Sequence, residues 1–474
     1  MFKKILIANR GEIALRVIRA CNDLGLQSVA IYSRADRDSL HVKMADESYE
    51  ISDDPISGYL DPARIIKLAK KVKAEAIHPG YGFLSENADF SRMTEEEGLV
   101  FIGPKWNVIS AMGDKNRARE LMIRNGIPVV PGSDVISSIE EAEDFAYRIG
   151  FPVIIKASSG GGGRGIRVCY KKEELKENFL ACKREAKAFF NNDDVFIEKY
   201  IVNPKHIEFQ ILADNHGNTI HLGERDCSIQ RRHQKLIEIA PSPSISQDLR
   251  RRMGVVAVAA AKAVGYTNAG TVEFLVNDEN DFYFMEMNTR IQVEHGVTEE
   301  ITGVDLVTRQ IRMAAGEILD LAQSDVVFNG YSIEARINAE DASADFMPTP
   351  GKVTAYYPAL GPSVRVDSHI YKDYDIPPYY DSMVAKLIVK ASSYGLCVKK
   401  LNRGLNEFKI KGMKTTIPLL KNLCQDREFK KGLFDTSFLE NKLPSLISKE
   451  DEKSPEDTAA AIAAALIARY QYNS

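Results

Sequence analysis

Between Phe284 and His295, polar and apolar residues alternate without a break. Glu286, Asn288, Arg290, Gln292 and Glu294 share one parity; Met285, Met287, Thr289, Ile291 and Val293 share the other. Successive side chains of a strand point to opposite faces, so an extended chain here lines one face with two carboxylates, two amides and a guanidinium. A solvated strand face carries a looser mixture of Lys, Glu, Ser and Thr. Upstream, Thr271–Val276 and Phe282–Met287 flank the turn-forming cluster Asn277-Asp-Glu-Asn-Asp281, which predicts a β-hairpin. With Glu273 opposite Glu286, the residues Val272, Phe274 and Val276 meet Met287, Met285 and Tyr283 on one apolar face. A shift by one residue separates the carboxylates and moves polar groups into the core. Adjacent carboxylates repel unless a cation lies between them or one is protonated. Magnesium, with Glu273, Glu286 and the amide of Asn288 as oxygen ligands, fits that arrangement. It normally completes its shell with water and substrate phosphates, so a nucleotide is expected.

A length of 474 residues suffices for about three domains. With 44% hydrophobic and 27% charged residues the composition is that of a soluble globular protein, and the net charge of −4 implies no general affinity for nucleic acid or acidic membranes. No apolar run approaches membrane-spanning length. The run after Lys3 and Lys4 is a short buried strand rather than a signal peptide, so a cytoplasmic location is expected. Six cysteines without CxxC or metal spacing read as reduced thiols.

Strands alternate with helical patterns over residues 1–113, implying a parallel, doubly wound sheet. The first turn lacks the G-x-G-x-x-G fingerprint of nicotinamide-binding folds. Residues 114–131 read as a linker that starts with a polar helix. A small α/β unit at 132–203 and the unit carrying the hairpin, 204–330, follow. A further α/β region covers 331–445. Residues 446–474 form a charged linker and an alanine-rich helical tail, with Ile462, Leu466 and Tyr470 in one stripe.

Other segments carry chemistry. In Lys156-Ala-Ser-Ser-Gly-Gly-Gly-Gly-Arg-Gly165, glycines that include Gly161, Gly162 and Gly163 let backbone N–H groups approach an anion closely. Lys156 can reach the same phosphates. Glu198, Lys199 and Ile201 end an apolar strand that can offer backbone groups to an adenine. The run Gly223 to Lys235 is dense in charge, which usually marks a solvated face. Yet it includes Gln230 and His233 along with Arg231, Arg232 and Lys235, a set suited to a small anion and a leaving phosphate. In Ser332-Ile-Glu-Ala-Arg-Ile-Asn338, strand parity groups Glu334, Arg336 and Asn338; a surface ion pair is the simplest expectation for Arg336.

Together, Ile7-Ala-Asn-Arg-Gly-Glu-Ile-Ala14, His78-Pro-Gly-Tyr-Gly-Phe-Leu-Ser-Glu-Asn87, the Lys156 loop, the 223–235 run and Met287–His295 resemble the biotin carboxylase component of biotin-dependent carboxylases. The resemblance covers about residues 1–445. It implies an ATP-grasp fold, with a preATP-grasp domain, a mobile glycine-loop lid and a C-terminal α+β region. It implies ATP contacts at Lys115, Lys156, Glu198, Lys199, Ile201, His206, Gln230 and His233, and metal ligation by Glu273, Glu286 and Asn288. Bicarbonate would meet Lys235, Arg290, Gln292, the backbone of Val293 and Glu294, with Glu294 as base. Arg336 would stabilise the biotin enolate, near Tyr81 and Gly82. ATP, Mg2+ or Mn2+, bicarbonate and carrier-bound biotin are the expected ligands. A separate biotinylated carrier, a separate carboxyltransferase and a homodimer are the expected partners, because no Met-Lys-Met attachment sequence occurs. The alternative is another bicarbonate-activating ligase of the carbamoyl-phosphate synthetase type. Two departures stand out. Gly296 replaces the proline that commonly follows Glu-His, and Ile239 replaces an acid found in some members.

Overall fold

The computed structural model describes residues 1–157, 166–190, 193–232 and 234–447. Gly161, Gly162, Gly163, His233 and the stretch after Lys453 lie outside the described residues.

Strands β1 (Lys4–Ile7), β2 (Gln27–Ser33), β3 (Glu47–Ser52), β4 (Ala76–His78) and β5 (Val100–Phe101) form a parallel sheet in the order β3-β2-β1-β4-β5. Parallel neighbours need crossovers, which the helices Gly11–Asp23, Pro62–Lys71 and Ala88–Glu96 help to supply. The β1 run is apolar throughout because both its faces are covered. Ile5 and Ile7 pack with Ile13, Val17 and Ile18, while Leu6 and Ala8 pack with Ile65 and Phe90. Strand order reverses between β1 and β4, and the loops that follow them meet beyond their carboxyl ends. There Asn9 ties the two loops together by donating to the carbonyls of Pro79 (2.7 Å) and Tyr81 (2.8 Å).

A small antiparallel sheet in the order β7-β6-β8 comprises β6 (Val153–Ala157), β7 (Ile166–Cys169) and β8 (Val195–Lys199). The third sheet is antiparallel and has eight strands. Six are β9 (Lys205–Ala213), β10 (Thr219–Arg231), β11 (Gln234–Ala240), β12 (Asn268–Val276), β13 (Phe282–Asn288) and β14 (Tyr331–Asn338). Their order is β13-β12-β9-β10-β11-β14, followed by the strands Met383–Ala391 and Val364–Ser368. One sheet therefore runs from the hairpin region into the C-terminal region. The helix Gln247–Ala263 covers one face of it, burying Leu249, Met253 and Ala257 against Phe209, Val272 and Phe274.

The hairpin forms with Glu273 opposite Glu286 and Val272 opposite Met287. Beyond that pair the expected register fails. A bulge sets Phe274 opposite Phe284 and Val276 opposite Phe282, so Met285 is 40% exposed while Phe284 is 5% exposed. The reason is volume. In the regular register two phenylalanines would face solvent; the extra residue returns both to the core, where Phe282 meets Phe274 edge to face. The strand also stops at Asn288 rather than continuing to Glu294. Arg290, Gln292 and Glu294 reach the site from the turn before the helix His295–Thr302.

Candidate active site

On the sheet face away from Gln247–Ala263, side chains of four strands form one row. Arg225 pairs across the strands with Glu208, Glu208 with Glu273, and Glu273 with Glu286. Three carboxylates side by side need compensating charge. Arg225 supplies part of it. This wholly buried guanidinium donates to Glu208, to Gln210 Oε1 (2.8 Å), to Thr271 Oγ1 (3.1 Å), to Thr298 Oγ1 (3.0 Å) and to Gln292 Oε1 (2.6 Å). It thereby fastens the turn after β13 to the sheet. Most of the run Gly223–Gln230 is buried in β10, so the solvated-face expectation holds only for its end, where Arg232 is exposed.

Lys235 supplies the second cation. Its Nζ donates to Glu208 Oε2 (2.6 Å), Glu294 Oε1 (2.6 Å) and Glu273 Oε1 (3.3 Å). Burial disfavours this ammonium, but the surrounding anions prevail and hold its pKa well above the lysine range. Glu273 also accepts from His206 Nε2 (2.7 Å), Asn288 Nδ2 (2.6 Å) and Gln292 Nε2 (2.7 Å). Burial pushes its pKa up, yet Lys235 and His206 bring it below the ordinary value. Glu294 is buried and bridges two cations, Lys235 and Arg336 Nη2 (2.9 Å); against burial, they and Arg225 hold its pKa down. Arg336 does not sit in a surface ion pair. Its Nε also donates to buried Glu238 (2.6 Å).

Arg290 donates to Glu86 Oε2 (3.0 Å) and Asn288 Oδ1 (3.3 Å), which brings the loop after β4 to the end of β13. The Val293 carbonyl accepts from Lys386 (2.7 Å). Tyr81 donates to Glu12, and burial followed by the Glu12 charge raises its pKa. Gly82 has φ +68°, a left-handed conformation that suits glycine.

The structure thus gathers Lys235, His206, Glu273, Glu286, Asn288, Arg290, Gln292, Glu294 and Arg336 at one place. Gln230 lies opposite Lys235 in the β10–β11 pair. Lys115 opens the helix Lys115–Arg124 and its charge acts on Glu286. Lys156, Glu198, Lys199 and Ile201 stand apart. Lys156 pairs with Glu198 (2.5 Å), and Lys199 donates to the carbonyls of Gly150 and Phe151 (both 3.0 Å). No hydrogen bond or ion pair among the described residues joins these four to the row. Glu208, Glu238 and Glu86 belong to the network without a role in the sequence reading, and Arg225 enters that reading only as part of the charged 223–235 run. The alternation His206-Ile-Glu-Phe-Gln210 carried the signal for Glu208.

A divalent cation fits Glu273, Glu286 and Asn288. Glu273 and Glu286 are cross-strand partners. Among the described residues Glu286 accepts no hydrogen bond, and Asn288 has its Oδ1 shared only with Arg290 (3.3 Å) while its Nδ2 donates to Glu273. Burial, then the charge of Glu273, pushes the Glu286 pKa up. A cation between them would relieve that cost.

Family models match three consecutive stretches: the biotin carboxylase N-terminal domain over residues 1–109, the carbamoyl-phosphate synthase L chain ATP binding domain over 114–322, and the biotin carboxylase C-terminal domain over 334–441. The 2-oxoglutarate carboxylase small subunit of Hydrogenobacter thermophilus is 54% identical over 471 residues, 99% of either chain. Biotin carboxylase 1 of Bacillus subtilis is 54% identical over 443 residues, 93% of this chain and 98% of that one. Among solved structures, the biotin carboxylase domain dimer of the Hydrogenobacter enzyme, in complex with MgADP, ADP and bicarbonate, superposes with a TM-score of 0.86 at 55% identity, covering 94% of this chain and 99% of that one.

Proposed function

This chain belongs to the biotin carboxylase family of ATP-grasp ligases, and we propose that its buried charge network carboxylates biotin with bicarbonate at the expense of ATP. One observation carries the division of labour: Glu294 is held between Lys235 and Arg336, two residues beyond Gln292, which Arg225 anchors.

Bicarbonate is a poor electrophile, so its activation as carboxyphosphate is the first task. Lys235, Arg290 and Gln292, with the backbone of Val293, orient the anion toward the γ-phosphoryl group. Glu294, kept ionised by its two cations, takes the bicarbonate proton. Lys115, Lys156, Glu198, Lys199, Ile201, His206, Gln230 and His233 are the residues assigned to the nucleotide, and Gly161, Gly162 and Gly163 those assigned to its phosphates. Magnesium held by Glu273, Glu286 and Asn288 supplies charge neutralisation on the phosphates. Tyr81 and Gly82 border the place where the biotin ring meets Arg336, whose guanidinium compensates the enolate oxygen. Carboxyphosphate breaks to CO2 and phosphate; the phosphate takes the ureido proton, and the ureido nitrogen bonds to the carbon of CO2.

Biotin reaches the site on a separate carrier, and a separate transferase uses the product. The match to a protein named a small subunit, which spans 99% of both chains, supports this division. That match takes in nearly all of residues 446–474, so we assign this tail to subunit docking and a 2-oxo acid to the final acceptor. No helix among the described residues is long and apolar enough to cross a membrane.

The test is Glu294→Gln. Fixation of labelled bicarbonate into biotin should fall by at least about a hundredfold while ATP affinity stays within about threefold. Preserved carboxylation with weakened ATP binding would reject Glu294 as the base. Bicarbonate-dependent ATP cleavage that free biotin does not stimulate would favour the carbamoyl-phosphate synthetase type instead.

A further inference from the structure

Strands β11 and β14 set Glu238 directly opposite Glu334, and both are wholly buried. Paired residues of neighbouring strands share a sheet face. Of the four carboxylate oxygens only Glu238 Oε1 is partnered, by Arg336. Glu238 Oε2 and both oxygens of Glu334 receive no hydrogen bond from a described residue. Around Glu334 stand Arg336 on its own strand, Glu238 on β11, Lys386 on Met383–Ala391, Glu294 before the helix His295–Thr302, and Tyr81. Around Glu238 stand Arg336, Glu294, Lys235 and Cys227.

Neither cation beside Glu334 is free to serve it. Arg336 is divided between Glu238 and Glu294. Lys386 donates to the Val293 carbonyl (2.7 Å) and pairs with Glu12 (3.3 Å) and Asp367 (3.9 Å). Nor does Gly296 crowd the carboxyl: a Cβ added there would stand 3.1 Å from Glu334 Oε2. Two ionised carboxylates buried in this way would carry a charge that nothing offsets.

We propose that Glu238 and Glu334 hold one proton between them and act as a positioning pair for Arg336, an inference that rests on Arg336 meeting the biotin enolate. Glu238 is the anion that anchors the guanidinium; Glu334 is the neutral acid behind it. Burial pushes both carboxyls up, Glu238 to about 7 and Glu334 well above the ordinary range, as expected where a close pair shares a proton. The single charge matters for the reaction. When Glu294 takes the proton of bicarbonate it becomes neutral and releases its share of Arg336. The guanidinium then keeps one anion, and its remaining field falls on the enolate. An ionised Glu334 would cancel that field.

The test uses the full chain with free biotin and reads bicarbonate-dependent ATP hydrolysis with and without biotin. Wild-type protein that biotin fails to stimulate would sink the assigned function itself, before any variant is compared. In Glu238→Gln the biotin-stimulated rate should drop at least about tenfold further than hydrolysis in the absence of biotin does. Glu334→Gln keeps a neutral group of the same shape and should lose less than about threefold in either rate. At pH 8 the infrared spectrum of the wild type should contain a neutral carboxylic acid band that Glu334→Gln lacks. The proposal is overturned if that band is absent from the wild type or survives in Glu334→Gln. It is equally overturned if Glu334→Gln is as damaged as Glu238→Gln, or if Glu238→Gln leaves both rates unchanged or lowers them alike. If Glu238→Gln does not fold, the infrared comparison decides alone.

Discussion

Single residues in this site are strained by charge before any ligand arrives. Glu286 shows it best: it is partly buried, opposite an ionised carboxylate, and without a hydrogen-bond donor among the described residues. Glu286→Gln should therefore leave the thermal midpoint of the ligand-free protein unchanged or raise it. The same change should weaken MgADP by at least about tenfold, the lower end of what even outer-shell changes cost a metal site. Calorimetric titration and a melting curve check both halves; a lowered ligand-free midpoint would mean that the charge row is stabilising as it stands. The sequence made Glu273 and Glu286 legible because they recur at strand period near one turn. Arg225 was not legible. Its five acceptors come from β9, β12, the turn after β13 and the helix His295–Thr302, and no local pattern encodes a convergence of that kind.

At the scale of elements, the hairpin shows where period-two reasoning succeeds and where it stops. Alternation placed Glu273 against Glu286 correctly because a one-residue slip would have buried charge. It could not foresee the bulge, since Tyr283, Phe284 and Met285 are all apolar enough to be read as inward-facing. Packing volume decides among them. Phe284→Ala should cost about 3–5 kcal/mol in urea unfolding, as for other buried phenylalanines, and Met285→Ala under about 1 kcal/mol. Equal costs, or the reverse order, would restore the regular register. The polar residues after Asn288 hold their parity as far as Glu294 although the strand has ended. They converge because Arg225 pins Gln292 and Lys235 pins Glu294, not because the backbone stays extended.

Across the whole molecule, ionic contacts join the parallel sheet to the rest. Arg16 of the first helix pairs with Glu299 and Lys386 with Glu12, while Arg10, paired with Asp36 inside the parallel-sheet unit, stacks on the Tyr380 ring. The long family motifs announced this architecture, but the state of its buried histidines did not show in them. Burial is a property of the assembled fold. His41, His78 and His369 are buried as neutral rings, and burial lowers their pKa values to about 4, 3 and 3. Unfolding returns each to about 6.5, so the unfolded chain binds more protons below that pH. The stability these rings contribute is complete above about pH 6.5 and is lost as pH falls toward the folded values, by up to about 1.4 kcal/mol per pH unit for each ring. His206 works in the opposite sense: burial lowers its pKa, but Glu273 raises it further, so its contribution is lost as pH rises. Glu208, brought down to about 2 because Arg225 and Lys235 outweigh burial, adds its loss only below about pH 4.5. The rings should therefore lower the urea midpoint between about pH 6.5 and 4.5, while Glu238, Glu286 and Glu334, whose folded pKa values are raised, offset part of that fall. His78→Asn should make that fall shallower by about one proton's worth of slope. A slope that His78→Asn leaves unchanged would show that this ring is protonated in the folded protein.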